Sequence, residues 1–171
     1  MAEPVRIVIL GGLGEIGRNC LAIEQGTDVD RSILVIDCGI MFPSADLHGI
    51  DLVLPDFTYL RENASSIVGL VAPHGHEDHV GGIQFLLRDE HGIGDRRDTP
   101  LPVFGSRLTL GLARNRIEEA GLLGRVDFVP TNDGDRVSIG PFEVEFVPVT
   151  HSVPHAHAIV VRTEQGVILH S

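Results

Sequence analysis

Short apolar runs separated by turn-forming residues recur along the chain, and they predict a protein rich in β-strands. Early strands are predicted at 6–10, 20–24, 32–37 and 66–71. Later strands are predicted at 126–129, 136–139, 142–147, 158–162 and 167–170. Asn132-Asp133-Gly134 and Gly140-Pro141 supply turn chemistry between the later strands.

Two helices are predicted among these strands. One follows a glycine pair at 83–88. The other covers 108–120, with Ser106 as its N-cap, Gly121 at its end and an apolar set formed by Leu108, Leu112 and Ile117. The charged segment 89–102, which contains two glycines and two prolines, is predicted to be a mobile loop.

Composition places the chain among folded globular proteins. Its 171 residues are 43% hydrophobic, which fits one domain over 1–171 with a real core. No apolar run approaches the roughly 20 residues that span a bilayer, and residues 1–5 lack the basic start of a secretory signal. Two cysteines make no disulfide framework. We therefore expect a cytoplasmic protein without a membrane partner.

Shortly after the predicted strand 66–71, the six residues 74–79 contain four candidate metal ligands: His74, His76, Asp78 and His79. Imidazole and carboxylate groups are ligands that zinc prefers. On a tight loop His74 and His76 can converge on one ion, while Asp78 and His79 can serve a second ion nearby. Two metals about 3.5–4 Å apart are an arrangement used to hydrolyse phosphoesters and amides. A polar surface loop that is rich in histidine by chance is the competing interpretation.

The histidine run resembles the HxHxDH motif of the metallo-β-lactamase fold superfamily, whose members are mostly zinc hydrolases. Within that superfamily the chain is similar to ribonuclease J. The segments that carry this resemblance are 11–19, 35–39, 49–57, 105–110 and 149–154. The similarity extends from about residue 5 to the last residue and is specific because the motifs occur in combination.

The resemblance implies an α+β fold, the αββα sandwich of the metallo-β-lactamases, and hydrolysis of RNA by water activated between two zinc ions. It implies that His151 completes a zinc site with His74 and His76. Asp78 and His76 are the predicted catalytic residues, with Asp78 orienting the nucleophile. Glu77 is expected to point away from the ions. Ribonuclease J enzymes act as 5′-to-3′ exonucleases and as endonucleases, and RNA is the implied substrate.

The resemblance also leads us to expect that the chain corresponds to the N-terminal part of the family sequence. The aspartate that bridges the metals, a final histidine ligand, the β-CASP domain and the C-terminal region would lie beyond residue 171. Three ligands then remain for one zinc, and only Asp78 and His79 for the other. We expect weak or no nuclease activity from this chain alone, and either a homo-oligomer or a partner chain that supplies the missing half.

A net charge of −11 argues against RNA binding through the chain's own surface. In the family, much of the RNA-binding surface belongs to the β-CASP domain. The acidity therefore weakens the expectation of RNA binding by this chain alone without overturning the resemblance.

Other interpretations remain open. Gly12-x-Gly14-x-x-Gly17, followed 20 residues later by Asp37, matches a dinucleotide-binding fingerprint if a helix follows the glycines. We favour a tight turn near the metals, with Asp37 contacting a ligand or orienting the loop. His155 and His157 are predicted to lie on one face of the next strand and are not assigned to metal. A thioesterase or lactonase of the same superfamily, and a non-catalytic zinc-binding remnant, are the alternative functions.

Overall fold

Two β-sheets face each other in the computed structural model, which describes residues 3–27, 29–45 and 47–171. The first sheet has six strands in the order of the chain: β1 (Val5–Gly11), β2 (Cys20–Gly26), β3 (Arg31–Ile36), β4 (Ile67–Ala72), β5 (Leu101–Ser106) and β6 (Val126–Thr131). The second sheet has four strands: β7 (Arg136–Ile139), β8 (Phe142–Pro148), β9 (His157–Thr163) and β10 (Gly166–His170).

The first sheet is mixed, with antiparallel and parallel strand pairs. Strands β1, β2 and β3 pair antiparallel, whereas β3, β4, β5 and β6 pair parallel. The second sheet is antiparallel throughout, in the order β10-β9-β8-β7. Because the carboxyl ends of parallel strands meet at one edge of a sheet, the loops that follow β3, β4 and β5 come together.

Among the described residues, four helices accompany the strands: α1 (Thr58–Glu62), α2 (Glu77–Val80), α3 (Ile83–Leu86) and α4 (Arg107–Glu119). Single 3₁₀ turns lie at Ala64–Ser66, Gly94–Arg96 and Leu123–Arg125. Within the described part of the chain, no helix is long and apolar enough to cross a membrane.

Alternation along the strands of the first sheet produces two apolar layers. One face contributes residues such as Val35 and Leu70 to a cluster with Ile83 and Ile117 of the helices. The other face contributes Ile36 to a cluster between the two sheets. Helical residues occur only in the first cluster, so the described residues form an α/β/β stack. This confirms the predicted α+β class and supplies three layers of the expected αββα sandwich.

The predicted strands are confirmed, with ends that shift by one or two residues. Strand β5 is an addition, since its first two residues lie in the segment predicted to be a mobile loop. Pro102 lacks an N–H and weakened the strand signal, but β5 is buried between two parallel neighbours. Two further positions of that segment are anchored, because Ile93 is fully buried and Arg61 pairs with Asp95.

The longest helix occupies its predicted position but buries a different face. Ser106 caps α4 by accepting a hydrogen bond from the Thr109 N–H at 3.1 Å, as predicted. The buried side chains are Thr109, Leu110, Ala113 and Ile117. Ile117 of the predicted apolar set is buried, whereas Leu108 and Leu112 are 38% and 42% exposed, so the set was wrong at these two positions. The spacing of 110, 113 and 117 follows the 3.6-residue period, whereas 112 and 117 lie on different faces.

The dinucleotide-binding interpretation is wrong. Strand β2 follows the glycine-rich segment directly and pairs antiparallel with β1, so no helix joins two parallel strands there. Gly12, Gly14 and Gly17 all have positive φ, and these values describe a tight turn.

We expect the layer between the sheets to dominate stability. Phe146 is fully buried there, and its replacement by alanine should lower the free energy of unfolding by about 3–5 kcal/mol. Phe42 is 69% exposed, so the matched Phe42→Ala change should stay within about 0.5 kcal/mol of the wild type. Urea unfolding followed by circular dichroism measures both values. Equal losses in the two variants would contradict the assignment of the core.

Candidate metal centre

The residues predicted to bind metal converge at the edge where the parallel strands end. Asp37 follows β3, His74 and His76 follow β4, and α4 follows β5. His151 reaches the same edge from the loop after β8 of the second sheet. The centre therefore lies at the mouth of the sandwich, where ligand sites of α/β sheets commonly occur.

Three imidazoles face one another in this region. Nε2 of His74 lies 3.1 Å from Nδ1 of His76, and Nε2 of His151 lies 3.2 Å from the same atom. One nitrogen of each ring falls within 4.8 Å of the other two. Two nitrogens bound to one tetrahedral zinc at about 2.0–2.1 Å are themselves separated by about 3.3 Å. The spacing of the three rings therefore fits a shared ion.

The environment of His74 keeps its ring neutral. Burial disfavours the imidazolium, and the neighbouring rings of His79, His151 and His76 disfavour it further, so that the pKa of His74 falls to about 4. A metal ligand must be the neutral imidazole. Near neutral pH, His74 therefore offers a lone pair to an ion without first having to lose a proton.

Asp78 and His79 form a second group beside the three imidazoles. Nε2 of His79 lies 3.5 Å from Oδ2 of Asp78, and the rings of His74 and His79 are 4.0 Å apart between centroids. Asn19 donates its side-chain amide to the Asp78 carbonyl at 3.0 Å and lies 3.3 Å from Asp78 Oδ2. The arrangement provides one carboxylate oxygen and one imidazole nitrogen for a second ion.

The side chain of Asp37 orients His79 of this second group through a hydrogen bond. Its carboxylate is buried and contacts Nδ1 of His79 and Nε2 of His170, each at 2.8 Å. Burial acts to raise the pKa of Asp37, but the hydrogen bonds and charges of His170 and His79 hold it below its ordinary value. An ionised carboxylate only accepts hydrogen bonds, so both histidines donate. His79 is thereby left with Nε2 as its ligand atom.

The same contact changes the proton affinity of His79. Burial disfavours its charged form, but the hydrogen bond and charge of Asp37, with the charge of Asp78, outweigh burial and raise its pKa. The negative groups around His79 thus favour a positive charge at this position, which either a proton or a metal ion can supply.

Backbone hydrogen bonds tie the loop after β3 to α2. The N–H of Cys38 donates to the His79 carbonyl at 2.8 Å, and the N–H of Ile40 donates to the Glu77 carbonyl at 3.0 Å. Gly39 lies between them so closely that a Cβ there would fall 1.7 Å from the Asp78 carbonyl oxygen. The helix that carries Asp78 and His79 is therefore seated directly on the segment that carries Asp37.

Glu77 is placed outside the cluster. Its Oε1 accepts a hydrogen bond at 2.6 Å from Arg116 of α4. The pair joins the helix that carries two candidate ligands to the longest helix of the fold. That Glu77 points away from bound metals stays a prediction.

Sequence reasoning missed three side chains that support the site. Asn19 lies in a segment that carried the family resemblance but had no role assigned to it. His170 contacts Asp37 across 133 residues, and Arg116 contacts Glu77 across 39. No local spacing signals such pairs, because they depend on how the strands and helices stack.

His155 and His157 do not share a face, so that prediction was wrong. His155 precedes β9 with a φ of 58°, and His157 is the first residue of the strand. His157 is buried, its Nε2 contacts Asp133 Oδ1 at 2.9 Å, and its ring meets Phe146 edge-on. Within the described residues, the cluster able to hold an ion contains His74, His76 and His151 and neither of these two.

Comparison with known proteins adds a family relationship to this geometry. The profile of the beta-lactamase superfamily domain matches residues 33–170. The chain is 41% identical over 170 residues to ribonuclease J of Synechocystis, and 39% identical over 171 residues to ribonuclease J of Thermus thermophilus. Both alignments cover 99% of this chain but only 25% and 28% of those proteins. The chain therefore spans about a quarter of the length of these relatives.

Solved structures share the fold at low sequence identity. The metallo-beta-lactamase fold protein YhfI from Bacillus subtilis superposes with a TM-score of 0.62 at 18% identity, covering 97% of this chain and 61% of that one. The short form of human tRNase Z superposes with a TM-score of 0.59 at 16% identity, covering 95% of this chain and 67% of that one. These likenesses confirm the fold expected from the resemblance.

Gly39→Ala tests the seating of α2. The added Cβ has no room against the Asp78 carbonyl, so Asp78 and His79 should be displaced. We expect zinc affinity, measured by competition with a chromophoric chelator, to fall roughly ten- to hundredfold. A Cβ at Gly111 in α4 meets nothing within 4 Å. Gly111→Ala should therefore keep the affinity and raise stability by about 0.5–1 kcal/mol. Unchanged affinity in Gly39→Ala would refute this account of the loop.

Proposed function

This chain belongs to the beta-lactamase superfamily, and we propose that it forms the metal-binding part of a hydrolase that cleaves RNA phosphodiesters. The proposal includes zinc as the metal, RNA as the substrate and the cytoplasm as the compartment. It also includes a partner for this chain, either a second copy of the chain in a homo-oligomer or another polypeptide.

The observation that carries the proposal is the convergence of three histidine nitrogens within 4.8 Å in a chain 41% identical to a ribonuclease J. Histidines spread along 78 residues have no structural reason to meet around one point. The donor set consists of imidazoles beside a carboxylate, which suits zinc better than calcium or magnesium.

His74, His76 and His151 would hold one ion, and Asp78 with His79 would hold a second. A bound divalent ion supplies Lewis-acid stabilisation of a phosphoryl oxygen and activates water for attack. Asp37 keeps the His79 ring oriented, and the Asn19 amide fixes Asp78 so that its carboxylate can orient the nucleophile. His76 is central in this arrangement, since its Nδ1 contacts both other rings of the histidine cluster.

The fold alone also admits a lactonase or thioesterase. An N-acyl homoserine lactone hydrolase superposes with a TM-score of 0.51, but its identity to this chain is only 13%. The ribonuclease J proteins are 36–41% identical over nearly the whole chain. This contrast favours RNA as the substrate.

Metal content is the first test of the centre. After dialysis against zinc and then against zinc-free buffer, we expect at least one zinc per wild-type chain by elemental analysis. His76→Ala should lose it, since the substitution removes the nitrogen that both neighbours face. His91→Ala is the control, because that ring is 90% exposed on a distant loop. Equal zinc in all three proteins, or none in the wild type, would refute the centre.

Cleavage of end-labelled RNA tests the chemistry, with the wild type combined with its partner sequence where that is needed for turnover. Asp78→Asn removes the carboxylate charge while keeping its shape and should lower the metal-dependent rate by on the order of a hundredfold or more. The matched Asp127→Asn change, on an exposed position of β6, should leave the rate unchanged. Turnover of thioesters or lactones without RNA cleavage would favour the other hydrolases. Tight zinc binding without turnover of any substrate would favour a non-catalytic remnant.

A further inference from the structure

A cavity of about 480 Å³ lies outside the histidine cluster, between the start of α4, the end of β6 and the loop that precedes β9. Its polar lining consists of Ser106, Arg107, Thr131, Asn132, Asp133 and His155. The volume falls within the range of small-molecule binding sites, and donors outnumber acidic groups in the lining.

Arg107 provides a free positive charge at this cavity. Its side chain is exposed, and among residues 3–27, 29–45 and 47–171 no carboxylate lies within ion-pairing distance of it. It is the first residue of α4, a helix of 13 residues whose N-terminus carries partial positive charge. Ser106 satisfies the N–H of Thr109, and the N–H groups of Arg107 and Leu108 precede the first intrahelical bond. An anion is the ligand that this end of the helix favours.

Thr131 is a second, independent feature of the cavity. It lies opposite Ser106 in the β5–β6 pairing, lines the cavity and is only 3% exposed. Its hydroxyl is buried and has no hydrogen-bond partner among the described residues. Leaving a buried hydroxyl unpaired is costly, so such groups in native proteins commonly have a bound partner.

Asp133 is the one acidic group in the lining. Its Oδ1 contacts Nε2 of the buried His157 at 2.9 Å, so one carboxylate oxygen is already engaged. The remaining charge of Asp133 opposes an anion, whereas Arg107 and the helix end favour it.

The cavity is close to the proposed metal centre. Gly75, which separates His74 from His76, packs against α4 so tightly that a Cβ there would lie 2.5 Å from Leu112 and 3.6 Å from the Thr109 Cα. His155 belongs to the same loop as His151. An RNA strand bound at the proposed metal centre can therefore extend along the start of α4.

We propose that this cavity binds a backbone phosphate of the RNA strand, away from the phosphate that is cleaved. The proposal rests on the proposed function, since it takes RNA as the ligand. Arg107 and the N-terminus of α4 hold the phosphate oxygens, and Thr131 donates its hydroxyl to one of them. Phosphate contacts position a strand without reading its sequence.

Binding is measured by fluorescence anisotropy of labelled oligo(A) and oligo(U) at several salt concentrations in EDTA, where metal-dependent cleavage cannot occur. Each phosphate contact to a single strand contributes about 0.7 to the slope of log affinity against log salt. Arg107→Ala should reduce the slope by about 0.7 for both oligonucleotides. Thr131→Val should weaken binding roughly tenfold without lowering the melting temperature, because valine removes an unpaired hydroxyl at the same volume.

Arg114→Ala is the matched control, since Arg114 is exposed on the same helix and pairs with Glu118. It should leave the slope unchanged, and Asp133→Asn should strengthen binding by removing the opposing charge. An equal loss of slope in Arg107→Ala and Arg114→Ala would mean a diffuse charge effect and would overturn the proposal. So would an effect of Arg107→Ala on one strand only, or a wild type that binds neither strand at low salt.

Failure of the proposed function leaves a different pattern. His76→Ala should lose zinc but keep the salt slope, because the cavity lies outside the histidine cluster. RNA binding in EDTA, combined with no RNA cleavage when metal is supplied, would support the phosphate site and contradict the proposed nuclease function. If Arg107→Ala leaves both the RNA cleavage rate and the salt slope of RNA binding unchanged, the phosphate site is contradicted and the proposed nuclease function stands.

Discussion

The buried carboxylate of Asp37 is the point on which the geometry of the site depends. A charge in this position is costly unless it is paired, and Asp37 is paired on both oxygens, by His79 and His170. The first contact fixes a candidate ligand, and the second joins the first sheet to β10 of the second sheet. The two sheets are therefore held together at the same point that orients the metal centre. The hydrogen bonds between the loop after β3 and α2 complete this arrangement, and they leave no room for a side chain at Gly39.

The charge of the chain and the charge of its proposed substrate have the same sign, so binding must rely on local groups. The net charge is −11, yet the mouth of the sandwich presents three imidazoles that could hold a cation. Arg107, at the start of α4, has no carboxylate within ion-pairing distance among the residues that the structure describes. Arg116 lies on the same helix but is neutralised by Glu77. The two ends of α4 therefore differ: Arg107 at its start lines a cavity, and Arg116 in its last turn pairs with Glu77 of the helix that carries the candidate ligands. An anionic substrate that approaches this edge would meet the charge of Arg107, whereas the net charge of the chain as a whole opposes its approach.

Prediction from the sequence succeeded where the pattern is local and failed where packing overrides it. The strands of the second sheet follow from alternation, and β7 was predicted with its observed ends. Strand β5 was missed because Pro102 and the nearby charged loop weaken its signal, although two parallel neighbours bury it. The apolar leucines of α4 misled the assignment of its buried face. Leu112 lies over Gly75 of the metal loop, where its side chain covers the backbone between two histidines and does not enter the core.

The sequence by itself determined most of the strands and the candidate ligands within 74–79, because strand periodicity and ligand chemistry depend on short stretches of chain. It also related the chain to a family, since several specific motifs occur together, and that resemblance implied the sandwich fold and the role of His151. Only the tertiary structure decided which side chains support that set. Asn19, His170 and Arg116 reach the site from distant segments, and their partners are chosen by the stacking of sheets and helices. The cavity beside α4 arises in the same way, because its walls come from three elements that no local pattern connects.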